Sequence, residues 1–168
     1  MVKDTGCRYI LIGHSERRHV FGEKDDLINN KVKAALEFGI EPMLCIGELL
    51  EEYEAGKSKD VCKKQLVAGL AGVSADQMKK VSIAYEPVWA IGTGKVATPE
   101  IAQSVHAYVR SVLAEMYSKE IADMVPVLYG GSAKPDNAAG LLSQADIDGL
   151  LIGGASLKAD SFIEIAKA

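Results

Sequence analysis

The chain has 168 residues, 48% of them hydrophobic and 25% charged, which is a globular balance and excludes a disordered or collagen-like chain. A formal net charge of −4 argues against a broad nucleic-acid or membrane surface, though not against a local anion site. The length sets a prior of one domain spanning residues 1–168, large enough to bury roughly 70% of its unfolded surface. No apolar run approaches the roughly 18 residues of a membrane helix, and Met1-Val2-Lys3-Asp4 opens no signal-peptide segment. Cys7, Cys45 and Cys62 are odd in number and lack CxxC spacing, so neither structural zinc nor a disulfide framework is expected. The expectation is a cytoplasmic protein with no nucleic-acid or membrane partner.

Five short apolar runs read as buried parallel strands: Arg8–Ile12, Pro42–Ile46, Val81–Tyr85, Val125–Tyr129 and Asp148–Ile152. Helical patterns follow each. The first carries Leu27, Ile28, Val32, Ala35 and Leu36 on one stripe, with Gly39 placed to end it. The second runs through Val61, Gln65, Leu66, Ala68 and Leu70, after an acidic stretch at Glu51–Glu54. The third is the clearest: Thr98 suits the N-cap, Pro99 the first turn, and Ile101, Val105, Tyr108, Val109 and Val112 form its apolar face. The fourth spans about Asn137 to Leu142 and the last Phe162 to Ala166. Strand starts near 8, 42, 81, 125 and 148 lie on average about 35 residues apart, which implies βαβ units and a parallel sheet. A five-stranded doubly wound sheet is complete at this length, whereas a (β/α)8 barrel needs about 250 residues. Periodicity alone therefore favours the doubly wound sheet.

Parallel α/β folds bind ligands at the carboxyl ends of their strands. The residues there are Gly13-His14-Ser15-Glu16-Arg17-Arg18, Gly47-Glu48, Glu86 with Pro87 to Lys95, Gly130-Gly131-Ser132 and Gly153-Gly154-Ala155-Ser156. One rim thus carries a histidine, three carboxylates and three glycine clusters. Each cluster reads either as a tight turn or as a nest of backbone N–H groups for an anion, and three on one rim favour phosphate. Glu86 and His14 each read either as an ordinary rim residue or, together, as a carboxylate base beside an imidazole electrophile. Cys45 reads as a packed core thiol. The apolar loop Trp89-Ala90-Ile91-Gly92-Thr93-Gly94-Lys95 is either permanently packed or a lid over a ligand.

Four blocks closely resemble the triosephosphate isomerase family: Gly13–Arg18, Ala84–Lys95, Tyr129–Ser132 and Gly153–Leu157. The resemblance runs the length of the chain and implies a partial (β/α)8 TIM barrel of five βα units, open or completed by self-association. It implies interconversion of dihydroxyacetone phosphate and glyceraldehyde 3-phosphate, a step of glycolysis and gluconeogenesis, with a small phosphorylated triose as partner and no metal or organic cofactor. By that resemblance Glu86 is the general base and His14 the neutral imidazole that polarises the carbonyl. Backbone N–H groups of Gly92, Ser132, Gly153 and Gly154 grip the phosphate. Pro87, Trp89, Ile91 and Lys95 belong to a lid over residues 87–97, Tyr129 latches it, and Ser15, Glu16 and Cys45 support the site.

The family's first three βα units, which carry an active-site lysine, have no counterpart in the sequence. That implies weak or absent activity for these 168 residues alone. It also implies sheet edges that recruit a second copy or a complementing N-terminal fragment. The reading of another class is a non-catalytic, self-associating scaffold that still binds phosphate.

Overall fold

A computed structural model describes residues 1–91 and 96–168. The strands are β1 (Tyr9–Ile12), β2 (Glu41–Ile46), β3 (Ser82–Tyr85), β4 (Val127–Tyr129) and β5 (Gly149–Leu150). All are parallel, and their order across the sheet is the order along the chain, β1-β2-β3-β4-β5. That order decides the architecture. A doubly wound sheet reverses direction at a switch point and so places helices on both faces. Here successive right-handed crossovers all advance the same way, so the helices lie on one face, as in a barrel wall. The doubly wound expectation from periodicity is therefore set aside in favour of five consecutive units of a TIM-barrel α/β fold.

The helices are α1 (Ser15–His19), α2 (Asp25–Glu37), α3 (Leu50–Glu54), α4 (Ser58–Gly69), α5 (Ala75–Met78), α6 (Pro99–Met116), α7 (Lys119–Met124), α8 (Pro135–Leu142) and α9 (Ala159–Ala166). In α6 the Thr98 side chain accepts from the Ile101 N–H, Pro99 occupies the first turn, and Ala102, Val105, Val109 and Val112 are buried. In α2 the buried stripe is Ile28, Asn29, Val32, Ala35 and Leu36, and Leu27 lies outside it with 44% exposure. At about 100° per residue, Ile28, Asn29, Val32, Ala35 and Leu36 share one arc of the helix surface, and Leu27 falls outside it on the exposed side. The acidic stretch at Glu51–Glu54 forms most of a short helix of its own.

Strand residues alternate between two environments. Leu44, Ile46, Ile83, Tyr85, Val127 and Tyr129 join Ile28, Val32, Leu66, Val105 and Val109 in the core between sheet and helices. The opposite face, the inner side of the wall, carries Tyr9, Leu11, Met43, Cys45, Ala84 and Leu128. On the β1 edge that face is open, and Tyr9 and Leu11 are 51% and 46% exposed. Among the described residues no helix is long and apolar enough to cross a membrane.

Candidate active site

Because the strands are parallel, their carboxyl ends converge on one rim, and the loops leaving them surround a cavity of about 500 Å³. His14 and Leu11 line it from the β1 side, Glu86 from β3, Gly130 to Lys134 from β4, and Gly153, Gly154 and Lys158 from β5.

Glu86 is the residue after β3 and is 2% exposed. Its backbone N–H donates to the Ile46 carbonyl at 2.7 Å, extending the ladder by one rung and fixing where the side chain leaves the sheet. One carboxylate oxygen, Oε2, accepts from the Ser15 N–H at 3.1 Å. The other, Oε1, lies 3.1 Å from His14 Nε2. His14 is the N-cap of α1, and its Nδ1 accepts from the Glu16 N–H at 3.3 Å. A nitrogen that accepts carries no proton, so the ring proton sits on Nε2 and is donated to Glu86. Burial holds the Glu86 carboxyl above the usual carboxylate range, opposed by His14, the Ser15 N–H, the Cys45 thiol and Arg18. Cys45 is fully buried on β2 beside this carboxylate, and burial together with the Glu86 charge keeps it a thiol at neutral pH.

The close packing of β2 against β3 explains one glycine. A side chain at Gly47 would place its Cβ 1.8 Å from the Glu86 carbonyl oxygen. Gln65 of α4 holds the same residue from the helix side. It accepts from the Gly47 N–H at 2.8 Å and donates to the Gly47 carbonyl at 3.2 Å.

Glu48 is fully buried, and its Oε1 accepts from the Tyr85 hydroxyl at 3.0 Å, Trp89 Nε1 at 2.8 Å and the Ser58 hydroxyl at 3.0 Å. Trp89 also stacks on Tyr53 with ring centroids 4.1 Å apart. A buried carboxylate with three donors is a strong anchor, so the segment after Glu86, with Pro87 and Trp89 both buried, is pinned to β2 and α3. The sequence reading placed Glu48 on the rim but gave it no role. Its signal was position alone, directly after Gly47 at the end of β2.

The other expected site residues divide. Ile91, Ser132, Gly153 and Gly154 line the cavity with His14 and Glu86. The Ser132 N–H donates to the Ala90 carbonyl at 3.2 Å, so it is held by the segment after β3 and is not turned to the cavity. Gly154 opens a 3-10 turn through Leu157, whose first N–H groups have no partner within the turn by its geometry. Tyr129 is fully buried behind the rim, with its hydroxyl in the field of the Ala97 N–H and its pKa pushed up to about 12 by burial. Glu16 contributes its backbone N–H to His14 while its side chain is exposed. Gly92 and Lys95 lie outside the described residues. Lys134 and Lys158, which the sequence reading did not single out, bring two cations to the same cavity. Among the described residues no group of three or more His, Cys, Asp or Glu side chains could hold a metal ion.

The family model of triosephosphate isomerase matches residues 1–168. The chain belongs to the triosephosphate isomerase family. It is 60% identical over 168 residues to a triosephosphate isomerase of Fusobacterium nucleatum, covering 100% of this chain and 67% of that one. It is 54% identical over 167 residues to that of Carboxydothermus hydrogenoformans, covering 99% and 66%. It is 53% identical over 167 residues to that of Syntrophotalea carbinolica, again covering 99% and 66%. The chain thus spans about two-thirds of the length of these family members.

Proposed function

We propose that the His14–Glu86 pair moves a proton between the two adjacent carbons that distinguish dihydroxyacetone phosphate from glyceraldehyde 3-phosphate. The observation that carries this reading is the pair itself: a carboxylate 2% exposed, 3.1 Å from an imidazole nitrogen, at a cavity bounded by glycine turns and two lysines. Glu86 removes the proton from C1 of the ketone. His14 Nε2–H donates to the C2 carbonyl oxygen, so negative charge develops on an oxygen that is already hydrogen-bonded. The enediol or enediolate then takes the proton back from Glu86 at C2, the O1 hydroxyl proton passes to O2 by way of the His14 imidazole, and the aldehyde carbonyl forms at C1. Electrons and protons balance within the substrate. Burial supports the base role, because a carboxyl held above its ordinary pKa accepts a carbon-bound proton more readily. Backbone N–H groups of Gly153 and Gly154, with Lys134 and Lys158, receive the phosphate.

These 168 residues turn over slowly by themselves in this reading, because the resemblance puts a further lysine on a strand that is not among them. Losing one preorganised electrostatic group costs about 10² to 10³ in rate. The exposed Tyr9 and Leu11 on β1 support self-association or capture of a complementing strand-helix segment. Isomerisation by the purified chain, beside Glu86→Gln prepared identically, tests the assignment. Activity absent from the variant supports it, and equal activity in both rejects it.

A further inference from the structure

Arg18 lies on α1, four residues after His14, and its side chain is 8% exposed. Its Nε donates to the Gly13 carbonyl at 2.7 Å, one Nη donates to the Cys45 carbonyl at 3.1 Å, and the other donates to Asp25 Oδ1 at 2.7 Å. The two carbonyls are informative. The ladder between β1 and β2 ends at Ile12 opposite Leu44, so the next pair in register is Gly13 opposite Cys45. There the chain turns out of the sheet toward His14 and the ladder stops. One guanidinium spans the gap, holding both carbonyls of the position where the next rung belongs. The approach is close: a Cβ on Gly13 would lie 3.0 Å from an Arg18 terminal nitrogen, and Gly13 adopts φ +77°, which favours glycine.

We propose that Arg18 is a positioning residue for the His14–Glu86 pair, clamping the ends of β1 and β2 so that the histidine stays at hydrogen-bond distance from the carboxylate. Gly13 precedes His14, and Cys45 packs beside Glu86, so the clamp fixes one neighbour of each partner. β1 is an edge of the sheet in this structure, with one paired side. A planar guanidinium can satisfy three acceptors in fixed directions, whereas a lysine cannot. The inference takes from the proposed function only the role of the pair, and it can be tested without turnover.

The probe is the His14 ring, read by nitrogen NMR of chain labelled at histidine, together with the pH at which the Glu86 charge, sensed by that ring, titrates. Glu86 is faced by His14, the Cys45 thiol, Arg18 and the Ser15 N–H, and Arg18 itself by Asp25. In Arg18→Ala the expected result is that the difference between Nδ1 and Nε2 shifts shrinks and the Glu86 midpoint rises, as a nearby cation is lost. Free guanidinium at about 10 mM reverses both changes by entering the open cleft that Arg18 lines, a rescue of the vacated clamp. Arg18→Lys keeps the midpoint near its starting value but still loses the shift difference. A folded Arg18→Ala chain with unchanged nitrogen shifts and midpoint overturns the proposal. If that variant does not fold, Asp25→Asn loosens the third edge of the clamp and shifts His14 part of the way, and an unchanged His14 there overturns the proposal too. Should Glu86→Gln retain full isomerisation, the proposed function fails while the nitrogen shifts still decide the part played by Arg18.

Discussion

Acidification should destabilise this fold through one histidine outside the cavity. His106 on α6 is fully buried. Its Nδ1 donates to the Asp146 carbonyl at 3.1 Å, its ring meets Tyr85 edge-on at 5.7 Å, and Nε2 is buried without a partner. A proton arriving at Nε2 would bring an unsolvated charge, and burial lowers the His106 pKa from 6.5 to about 4. Nearby Asp146 and Asp148 oppose that shift and Arg110 adds to it. The unfolded chain therefore binds this proton at higher pH than the folded chain. Stability is unaffected well above pH 6.5, falls as pH drops through about 6.5, and levels off below about 4. The full gap corresponds to about 3 kcal/mol, of which about 2 kcal/mol is lost between pH 7.5 and 5.0. Urea denaturation at those two values measures it. Glu86 contributes with the opposite sign, since a raised carboxyl pKa loses stability as pH rises, so the decisive quantity is a difference between proteins. His106→Asn keeps a donor for Asp146 and cannot titrate, and it should show about 2 kcal/mol less pH dependence over that interval. An equal pH dependence in both proteins would refute the assignment.

Other perturbations follow from close contacts. Gly47→Ala forces a Cβ to 1.8 Å from the Glu86 carbonyl, so it should cost at least about 1–3 kcal/mol, as is typical of overpacking, and shift the Glu86 backbone amide in NMR spectra. A normal Tm with an unshifted amide would show that the strands part more easily than their spacing implies. Gly154→Val should leave Tm nearly unchanged, because a Cβ there meets nothing within 4 Å, yet weaken inorganic phosphate or phosphoglycolate by crowding the anion. Unchanged affinity by calorimetry would remove Gly154 from the phosphate site. With Tyr9 and Leu11 exposed on an edge strand, the apparent mass of the chain should fall on dilution, and a monomer at every concentration would reject self-association.

The strands and the rim were legible because each strand end is marked by residues of narrow use. Glycines stand where backbones pass closely, as at Gly47, and Glu86 follows a buried run that fixes its direction. Strand order was not legible from spacing, since five βα repeats of this length suit either a doubly wound sheet or a barrel wall; the resemblance and then the pairing decided it. Leu27 was misplaced because an apolar residue beside a stripe looks like part of it until the helix phase is known. Glu48 and Arg18 stand on the rim in the sequence, but their roles were not legible, for a different reason. Their importance comes from donors and acceptors distant in sequence, Tyr85 and Trp89 for one and the Cys45 carbonyl for the other, and no local pattern announces such partners. Lys134 and Lys158 look like surface lysines until the loops after β4 and β5 bring them to one cavity.

The most direct test of the account is proton exchange at carbon, which registers even when net turnover is slow. Dihydroxyacetone phosphate is incubated with the chain in deuterium oxide and its C1 hydrogens are followed by NMR. The account predicts that deuterium enters C1 faster with the chain than with Glu86→Gln, because Glu86 removes the proton and exchanges it with solvent before returning it. Equal rates with both proteins would contradict the central claim that Glu86, beside His14, is the base.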